Sequence, residues 1–153
     1  MTAVVIRVSS ASVDIDSERV AEVGKGLLIL LGVENGDTKK EAEYLAGKCA
    51  GLRIFEDGEG KMNLSAADVG GELLVVTNFT LCGDCVKGKR PSFDRAERPD
   101  SAEPMSEYFI ECCRGYGFAV PTGRFGADMK VASVNDGPIT LVLDTRKMLE
   151  GRL

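Results

Sequence analysis

The stretch GDCVKGKR is a near match to a phosphate-binding loop. Gly83, Gly88 and Lys89 fit the pattern G-x-x-x-x-G-K, in which backbone N–H groups and the lysine hold phosphates. The next position should be a serine or threonine that binds magnesium, but it is Arg90. Pro91 follows, and a proline there would disrupt the helix that such a loop needs. The stretch therefore does not predict a nucleotide-binding loop.

Lys87, Lys89 and Arg90 form a basic cluster in a chain whose formal net charge is −5. Such a cluster is typical of a solvated loop, and it could equally contact phosphates near the end of a nucleic acid. The acidic balance of the whole chain argues against broad, non-specific nucleic-acid binding, which usually needs a basic surface. Both interpretations of the cluster stay open.

Cys82 and Cys85 form a single C-x-x-C pair. Zinc would need two more ligands, and the sequence contains no histidine. A thioredoxin-like pair normally opens a helix, whereas this pair lies in a glycine-rich loop after a predicted strand. The five cysteines are an odd number in a chain without an export signal, so reduced thiols are expected. No metal and no cofactor is predicted, and a thiol redox or zinc protein is the weaker alternative.

The absence of histidine also limits hydrolytic chemistry. A Ser-His-Asp triad is impossible, so hydrolysis would need another base, a group of the substrate, or positioning and electrostatics alone. Thr77, Asn78, Phe79 and Thr80 end a predicted buried strand, where hydroxyls, an amide and backbone N–H groups could bind a ligand. Threonine and phenylalanine are equally typical of an ordinary strand, so spacing alone does not decide between the two.

Strand-like segments outnumber helical ones along the chain. They are VVIRV, the hairpin ASVDIDSERVAEV, GLLILLGV, the turn-containing RIFEDGEGKMNLS, GELLVVTNFTL, ADMKVASV and PITLVLD. GLLILLGV is a continuous apolar run, which predicts a strand buried on both faces. The segment CGDCVKGKRPSFDRAERPDS predicts a loop of about 20 residues, and loops that long are usually functional or disordered.

Two helices are predicted. The first begins near Asp37 or Thr38, either of which is a suitable cap. The second is capped by Ser101 and has Pro104 in its first turn. Its apolar face recurs at helical spacing. The members of that face are Met105, Tyr108, Phe109, Cys112, Cys113 and Tyr116. The charged tail after about residue 145 is expected to fray or to extend the last element.

These elements predict one α+β domain over residues 1–153, with mixed or antiparallel β-sheets and two main helices. Strands that outnumber their covering helices often leave an apolar sheet face open, so a dimer formed through such a face is expected.

No apolar run approaches the roughly 18 residues of a membrane span. The N-terminus lacks a charged start followed by an apolar block. No membrane partner and a cytoplasmic location are therefore expected.

Pro138 stands at the start of the last predicted strand, directly after Gly137. Proline donates no backbone hydrogen bond and occurs in strands at starts, edges or bulges. From these residues alone, an edge-strand proline with no ligand is the preferred interpretation.

Several motifs occur in the order found in one protein family. VIRVSSASV, GLLILLGV and LRIFEDGEGKMNLS are followed by GGELLVV with TNFTL, KGKRPSF, TGRFGADM and VNDGPITL. Over about residues 1–145 the sequence resembles the D-aminoacyl-tRNA deacylases, the D-Tyr-tRNA(Tyr) deacylase family. Co-linear motifs are far more specific than any single short pattern.

The resemblance implies a chiral proofreading enzyme. It would hydrolyse the ester between a D-amino acid and the terminal adenosine of a tRNA, and would also remove glycine mischarged onto tRNA for alanine. The implied partners are the aminoacylated 3′ end of tRNA and a second copy of the chain. A non-catalytic module of the same fold that binds an RNA end or an amino acid is the alternative.

The resemblance also implies how chirality is selected. Gly137 and Pro138, joined by a cis peptide bond, would reach from each subunit into the partner's pocket. Carbonyls fixed beside such a bond can bind an ammonium group and leave no room for a side chain on the L side. Gly137 lacks a Cβ, so this wall can approach the ligand closely. Arg7 is expected to brace the Gly-Pro loop.

The remaining site residues follow from the same resemblance. Phe79 would offer its backbone N–H to the oxyanion and Thr80 its hydroxyl, with Asn78 beside them. Whether Thr80 attacks or the adenosine 2′-hydroxyl activates water stays open, and the RNA hydroxyl is favoured. Phe125 and Met129 are expected to enclose the terminal adenosine.

The sequence departs from the family pattern at the strand end. The usual Ser-Gln-Phe-Thr is Thr77-Asn78-Phe79-Thr80 here. Asn78 keeps the amide but is one methylene shorter, and Thr77 keeps the hydroxyl but adds a methyl group. Neither change is expected to abolish activity, because the main donors belong to the backbone.

Overall fold

A long strand, β1 (Thr2–Ile15), is the centre of a five-stranded sheet. The first half of β1 pairs antiparallel with β3 (Gly26–Gly32) and its second half with β2 (Glu18–Val23). On its other side β1 pairs antiparallel with β7 (Lys130–Asp144). The remaining strand, β6 (Glu72–Thr77), lies parallel to β3. The mixed sheet and the α+β class are therefore confirmed.

The structure is a computed structural model that describes residues 1–151. Its helices are α1 (Lys39–Gly51), α2 (Pro99–Gly115) and the short α3 (Thr145–Leu149). A small two-stranded sheet joins β4 (Phe55–Glu56) to β5 (Met62–Leu64). In the described range no helix is long and apolar enough to cross a membrane.

The start of α1 is confirmed and the start of α2 differs from the prediction. Thr38 and Glu41 form a reciprocal capping box at the start of α1. In contrast, α2 begins at Pro99 and has no side-chain cap. Proline suits the first helical position because its φ is already helical and its missing N–H needs no partner there. Ser101 and Pro104, predicted as the cap and the first turn, therefore lie inside the helix.

The buried face of α2 is also rotated from the predicted one. Its buried members are Ala102, Ser106, Phe109, Ile110 and Cys113. Tyr108 is half-buried at the seam with α1, where its hydroxyl donates to Glu43. Tyr116 follows the end of the helix and is 56% exposed. The prediction had identified only part of the face that meets the sheet.

Both faces of β3 are largely buried, as its apolar run predicts. Leu27, Ile29 and Leu31 pack into a core beneath α1 and α2. Leu28 points to the opposite face, where a second core forms between β1, β2 and β6. Alternate side chains of one strand therefore serve two cores.

The tail, which was expected to fray or to extend the last element, begins as the docked helix α3. Asp144 caps α3, and Thr145 is fully buried. The N-terminal ammonium group of Met1 donates to Asp37 Oδ1 at 2.7 Å and to Thr145 Oγ1 at 2.9 Å. These bonds hold α3 against the start of β1. The last two positions of the tail lie outside the described residues.

Candidate functional site

A cavity of about 970 Å³ opens beyond the carboxyl end of β6. Apolar side chains of the sheet form one wall, and the start of α2, the loop before it and the segment leading into β7 form the others. The lining includes Ile6, Leu28, Leu30, Val76, residues 77–80, Phe93, residues 96–99, Ala102, Ser106 and residues 125–129. A cavity of this size and polarity is typical of a small-molecule site.

The end of β6 places four predicted site residues at this cavity. The N–H of Asn78 donates to Leu31 O at 2.7 Å, after which the chain turns into a 3₁₀ helix, Phe79–Cys82. Thr77 and Asn78 are half-buried, while Phe79 is 58% exposed. Thr80 is exposed as well, and all four residues line the cavity.

The first backbone donors of this short helix are unused. The N–H groups of Phe79 and Thr80 have no acceptor among the described residues. This is the usual state of the first N–H groups of a helix, which have no partner within it. Since both residues line the cavity, their N–H groups are the candidate donors to a ligand oxygen there.

The hydroxyl of Thr80 is committed to Asn78. Thr80 Oγ1 donates to Asn78 Oδ1. Its lone pairs can then accept a hydrogen bond, but its proton is not free for a ligand. The amide oxygen of Asn78 is not a base, so this contact does not activate Thr80 as a nucleophile.

Aromatic and sulfur-containing side chains complete the cavity. Phe79 and Phe93 meet edge to face, with ring centroids 5.2 Å apart. Phe125 and Met129 line the same space and are half-buried. The structure therefore brings together six of the predicted site residues. Phe93 was not predicted as a site residue, although it belongs to the motif KGKRPSF.

The other three predicted residues lie apart from this cavity within one chain. Ile6 of β1 pairs with Thr140 of β7, and Val8 pairs with Asn135, so residues 136–139 loop out opposite Arg7. The buried Arg7 side chain donates from Nε to Asp136 O at 2.9 Å and from Nη1 to Ile54 O at 2.8 Å. One guanidinium thus ties the loop to the start of the β4–β5 hairpin.

Gly137 and Pro138 form the tip of this loop. Their peptide bond is cis, and Gly137 has a φ of +133°. A Cβ at Gly137 would lie 3.1 Å from Nη2 of Arg7. Asn135 closes the loop, because its Nδ2 donates to Thr140 Oγ1 at 2.7 Å and its Oδ1 accepts from the N–H of Ile139 at 3.0 Å. Both tip residues are exposed and do not line the cavity of their own chain.

A family model described as D-Tyr-tRNA(Tyr) deacylase matches residues 4–144. The chain belongs to the D-Tyr-tRNA(Tyr) deacylase family. The match spans the cavity residues and the Gly-Pro loop alike, and it confirms the family suggested by the co-linear motifs.

Relatives of this deacylase family cover the whole chain. The D-aminoacyl-tRNA deacylase of Geobacter sulfurreducens is 53% identical over 146 residues, which are 95% of this chain and 96% of that protein. That of Dehalococcoides mccartyi is 53% identical over 153 residues, all of both chains.

Two solved structures share the fold of this family member. The c-Myc DNA Unwinding Element Binding Protein superposes with a TM-score of 0.89 at 39% identity, over 94% of this chain and 98% of the other. A probable eukaryotic D-amino acid tRNA deacylase has a TM-score of 0.77 at 17% identity, over 94% and 99% of the two chains. At 17% identity, the likeness to the second structure shows only a shared fold.

Cys82 and Cys85 of this family member differ in burial. All five are free thiols, Cys82 is buried and Cys85 is exposed. Burial raises the pKa of the Cys82 thiol above its ordinary value, which keeps it protonated and poorly nucleophilic. Cys82 Sγ lies 3.6 Å from Val33 O, a contact of the core. The position of Cys82 therefore favours packing over the redox alternative.

Proposed function

We propose that the cavity beyond β6 holds the terminal adenosine of an aminoacyl-tRNA, with the ester to be cleaved beside Phe79. The chain is a D-aminoacyl-tRNA deacylase, a hydrolase of aminoacyl-tRNA. The observation that supports the proposed site is the convergence of residues 77–80 with Phe125 and Met129 on one cavity. Because its substrate forms where tRNAs are charged, the cytoplasm is the expected location.

The lining suits a nucleoside. Bases stack on aromatic side chains with little dependence on their identity, and Phe79, Phe93 and Phe125 offer such faces. Met129 provides a polarizable side chain that adapts to a ring. The volume of about 970 Å³ accommodates an aminoacylated nucleoside.

Hydrolysis then depends on orientation and oxyanion stabilisation. The unused N–H of Phe79 donates to the oxygen that becomes negative when water attacks the ester carbonyl. The neighbouring ribose hydroxyl positions that water and relays one of its protons to the ester oxygen, which then leaves as the second ribose hydroxyl. The Thr80 oxygen, whose proton is held by Asn78, accepts a hydrogen bond from the substrate. An aminoacyl ester is an activated bond, so these effects suffice without a histidine.

Chirality is proposed to be selected across a homodimer. Most of β7 is exposed, and three of its valines are unusually so: Val131 is 39% exposed, Val134 57% and Val142 70%. Natural proteins rarely leave a long apolar edge strand uncovered. A second copy on this edge would carry its Gly137-Pro138 corner into the cavity. There, backbone carbonyls would bind the ammonium group of the substrate and the corner would exclude an L side chain.

Comparison of D-Tyr-tRNA with L-Tyr-tRNA tests this function. The protein is expected to release D-tyrosine over many turnovers at substoichiometric concentration, with kcat/KM at least about 100-fold above the L substrate, which corresponds to roughly 2.7 kcal/mol. Glycine carried on tRNA for alanine is expected to be released as well, because it has no side chain to exclude. Equal rates on both enantiomers would contradict the chiral role, and the absence of any D-tyrosine release would favour the binding-module alternative.

Thr80→Ala is expected to keep most of the activity. If Thr80 only accepts a hydrogen bond from the substrate, its removal lowers kcat by less than about tenfold, as for the loss of one hydrogen bond. Rapid-quench measurement of D-Tyr-tRNA hydrolysis gives kcat, with Thr80→Ser as the control that keeps the hydroxyl. Complete loss in a folded Thr80→Ala protein, with full activity in Thr80→Ser, would make Thr80 the nucleophile.

A further inference from the structure

We propose that a cationic tip beside the cavity, residues 85–91, binds the sugar–phosphate backbone of the tRNA where it leaves the active site. The proposal rests on the deacylase function and adds a second contact surface to it. The tip contains Lys87, Lys89 and Arg90, whose role the sequence leaves open.

The base of the tip is the Asp84–Ser92 pair, whose hydrogen bonds hold the two ends of the loop together. Asp84 and Ser92 exchange two backbone hydrogen bonds of 2.7 and 2.8 Å, which close the segment between them into a hairpin-like loop. The Asp84 carboxylate also accepts the N–H of Val86 at 2.9 Å. Gly88 turns the chain with a φ of +67°, a conformation that favours glycine. The direction of the cationic tip is therefore set by its base.

On both sides of the Asp84–Ser92 pair, the chain continues into segments that form the cavity wall. Gly83 directly follows the helix that contains Phe79 and Thr80, and its N–H donates to Thr80 O at 3.0 Å. On the returning side, Phe93 packs against Gly83 and meets the ring of Phe79. Since Phe79 and Phe93 line the cavity, the cationic tip begins within a few residues of the proposed ester site.

The segment after the tip is also anchored. Asn35 Nδ2 donates to Asp94 O at 2.7 Å, and the N–H of Asn35 donates to Arg95 O at 2.9 Å. The N–H of Glu97 then donates to Val33 O at 2.9 Å. The loop is thus fastened to the end of β3 before α2 begins.

The positive charges of the tip are not paired with acidic side chains of the described residues. Lys87, Lys89 and Arg90 are exposed and form no ion pair with any residue in the range 1–151. No acidic residue occurs between Asp84 and Asp94. Three cations without an ion-pair partner in the range 1–151 therefore lie on the loop between two lining residues, Thr80 and Phe93, in a protein whose net charge is −5.

This charge distribution matches the substrate. The terminal adenosine is followed by a chain of nucleotides that carries one phosphate each, and that chain must cross the mouth of the cavity. A mainly acidic protein repels RNA in most orientations, so a local cationic surface both attracts the strand and orients it. Phosphate contacts of this kind position a nucleic acid without reading its bases.

The test compares a complete aminoacyl-tRNA with an analogue of its aminoacylated terminal adenosine. The tip variant Lys87→Gln/Lys89→Gln/Arg90→Gln is matched by Lys40→Gln/Lys48→Gln/Lys147→Gln, which removes the same charge from exposed lysines of α1 and α3 outside the cavity lining. One probe is D-Tyr-tRNA, assayed for kcat and KM between about 50 and 200 mM salt. The other is D-tyrosyl-aminoadenosine, in which an amide replaces the ester, measured by calorimetry.

We expect the tip variant to raise KM for D-Tyr-tRNA by about tenfold at low salt and to reduce the slope of log(kcat/KM) against log[salt] by about 2. The Kd of the amide analogue should stay within about twofold, because the analogue carries no phosphate. The matched variant should change neither quantity by more than about twofold.

Two results would overturn the proposal: an unchanged KM and salt slope in the tip variant, or an equal loss for tRNA and analogue, which would mean that the cavity itself is damaged. Failure of the deacylase function is distinguishable, because the unmodified protein would then not hydrolyse D-Tyr-tRNA at all.

Discussion

Phe79→Pro is expected to lower kcat on D-Tyr-tRNA by about 10²–10³-fold, the usual cost of removing one oxyanion donor. Proline has no N–H, so the substitution deletes the backbone donor proposed to stabilise the developing charge. Position 79 is the first residue of its short helix, where proline is tolerated best. Single-turnover kinetics measure the effect on the chemical step.

Phe79→Ala is the matched control, since it removes the same ring but keeps the N–H. It is expected to raise KM, through the lost contact with Phe93, more than it lowers kcat. Circular dichroism and thermal unfolding establish that both variants are folded. Equal kcat values for the two variants would assign the effect to the ring and would remove the oxyanion role of the Phe79 N–H.

Local physics accounts for the parts of the fold that the sequence predicts well. The continuous apolar run of β3 and the helix cap predicted at Asp37 or Thr38 each depend on neighbouring residues alone. The start of α2 was missed because two local signals compete there, the Ser101 hydroxyl and the first-turn preference of Pro99. The contact of Glu97 with Val33 fixes the chain just before Pro99, and no local pattern contains that contact.

Long-range strand pairing explains why the predicted division of residues 130–144 into two strands is wrong. Two strands were predicted, but residues 130–144 form one strand because both halves pair with β1. The loop at residues 136–139 is then an excursion within that strand, opposite Arg7. Neither the register nor the bond from Arg7 to Asp136 O can be read from spacing.

The sequence indicated several residues that line the cavity, but it did not indicate how they are arranged around it. Residues 77–80 and Phe125 are distant in sequence, and the bridge between Val75 and Thr122 brings their segments together. The co-linear motifs pointed to these residues without specifying that contact. The Thr80–Asn78 bond was not foreseen either, and it changes the proposed role of the Thr80 hydroxyl from donor to acceptor.

Gly137→Ala is expected to lower kcat/KM on D-Tyr-tRNA by about 100-fold, as for a misplacement of about 1 Å at a reacting centre. The φ of +133° is a region that L side chains rarely adopt, and the new Cβ would lie 3.1 Å from both Arg7 Nη2 and the N–H nitrogen of Ile139. The loop must therefore move, and the proposed corner moves with it. Steady-state kinetics on D- and L-Tyr-tRNA measure the loss.

Gly117→Ala is its control. Gly117 also has a positive φ, but a Cβ there would meet nothing within 4 Å. It follows the end of α2 remote from the cavity, which is lined by residues at the start of that helix. A similar backbone penalty of about 1–3 kcal/mol is expected without a change in kcat/KM. Equal losses of activity in the two variants would show a general effect of destabilisation.

Mixing the two impaired chains tests whether the corner acts across subunits. A dimer of one Gly137→Ala chain and one Phe79→Pro chain contains one site with an intact cavity and an intact corner if the corner is donated by the partner. Random exchange at equal amounts should then restore about a quarter of the unmodified activity, because half of the dimers are mixed and each has one working site of two. If each chain supplied its own corner, every site would carry one defect, and mixing would restore nothing.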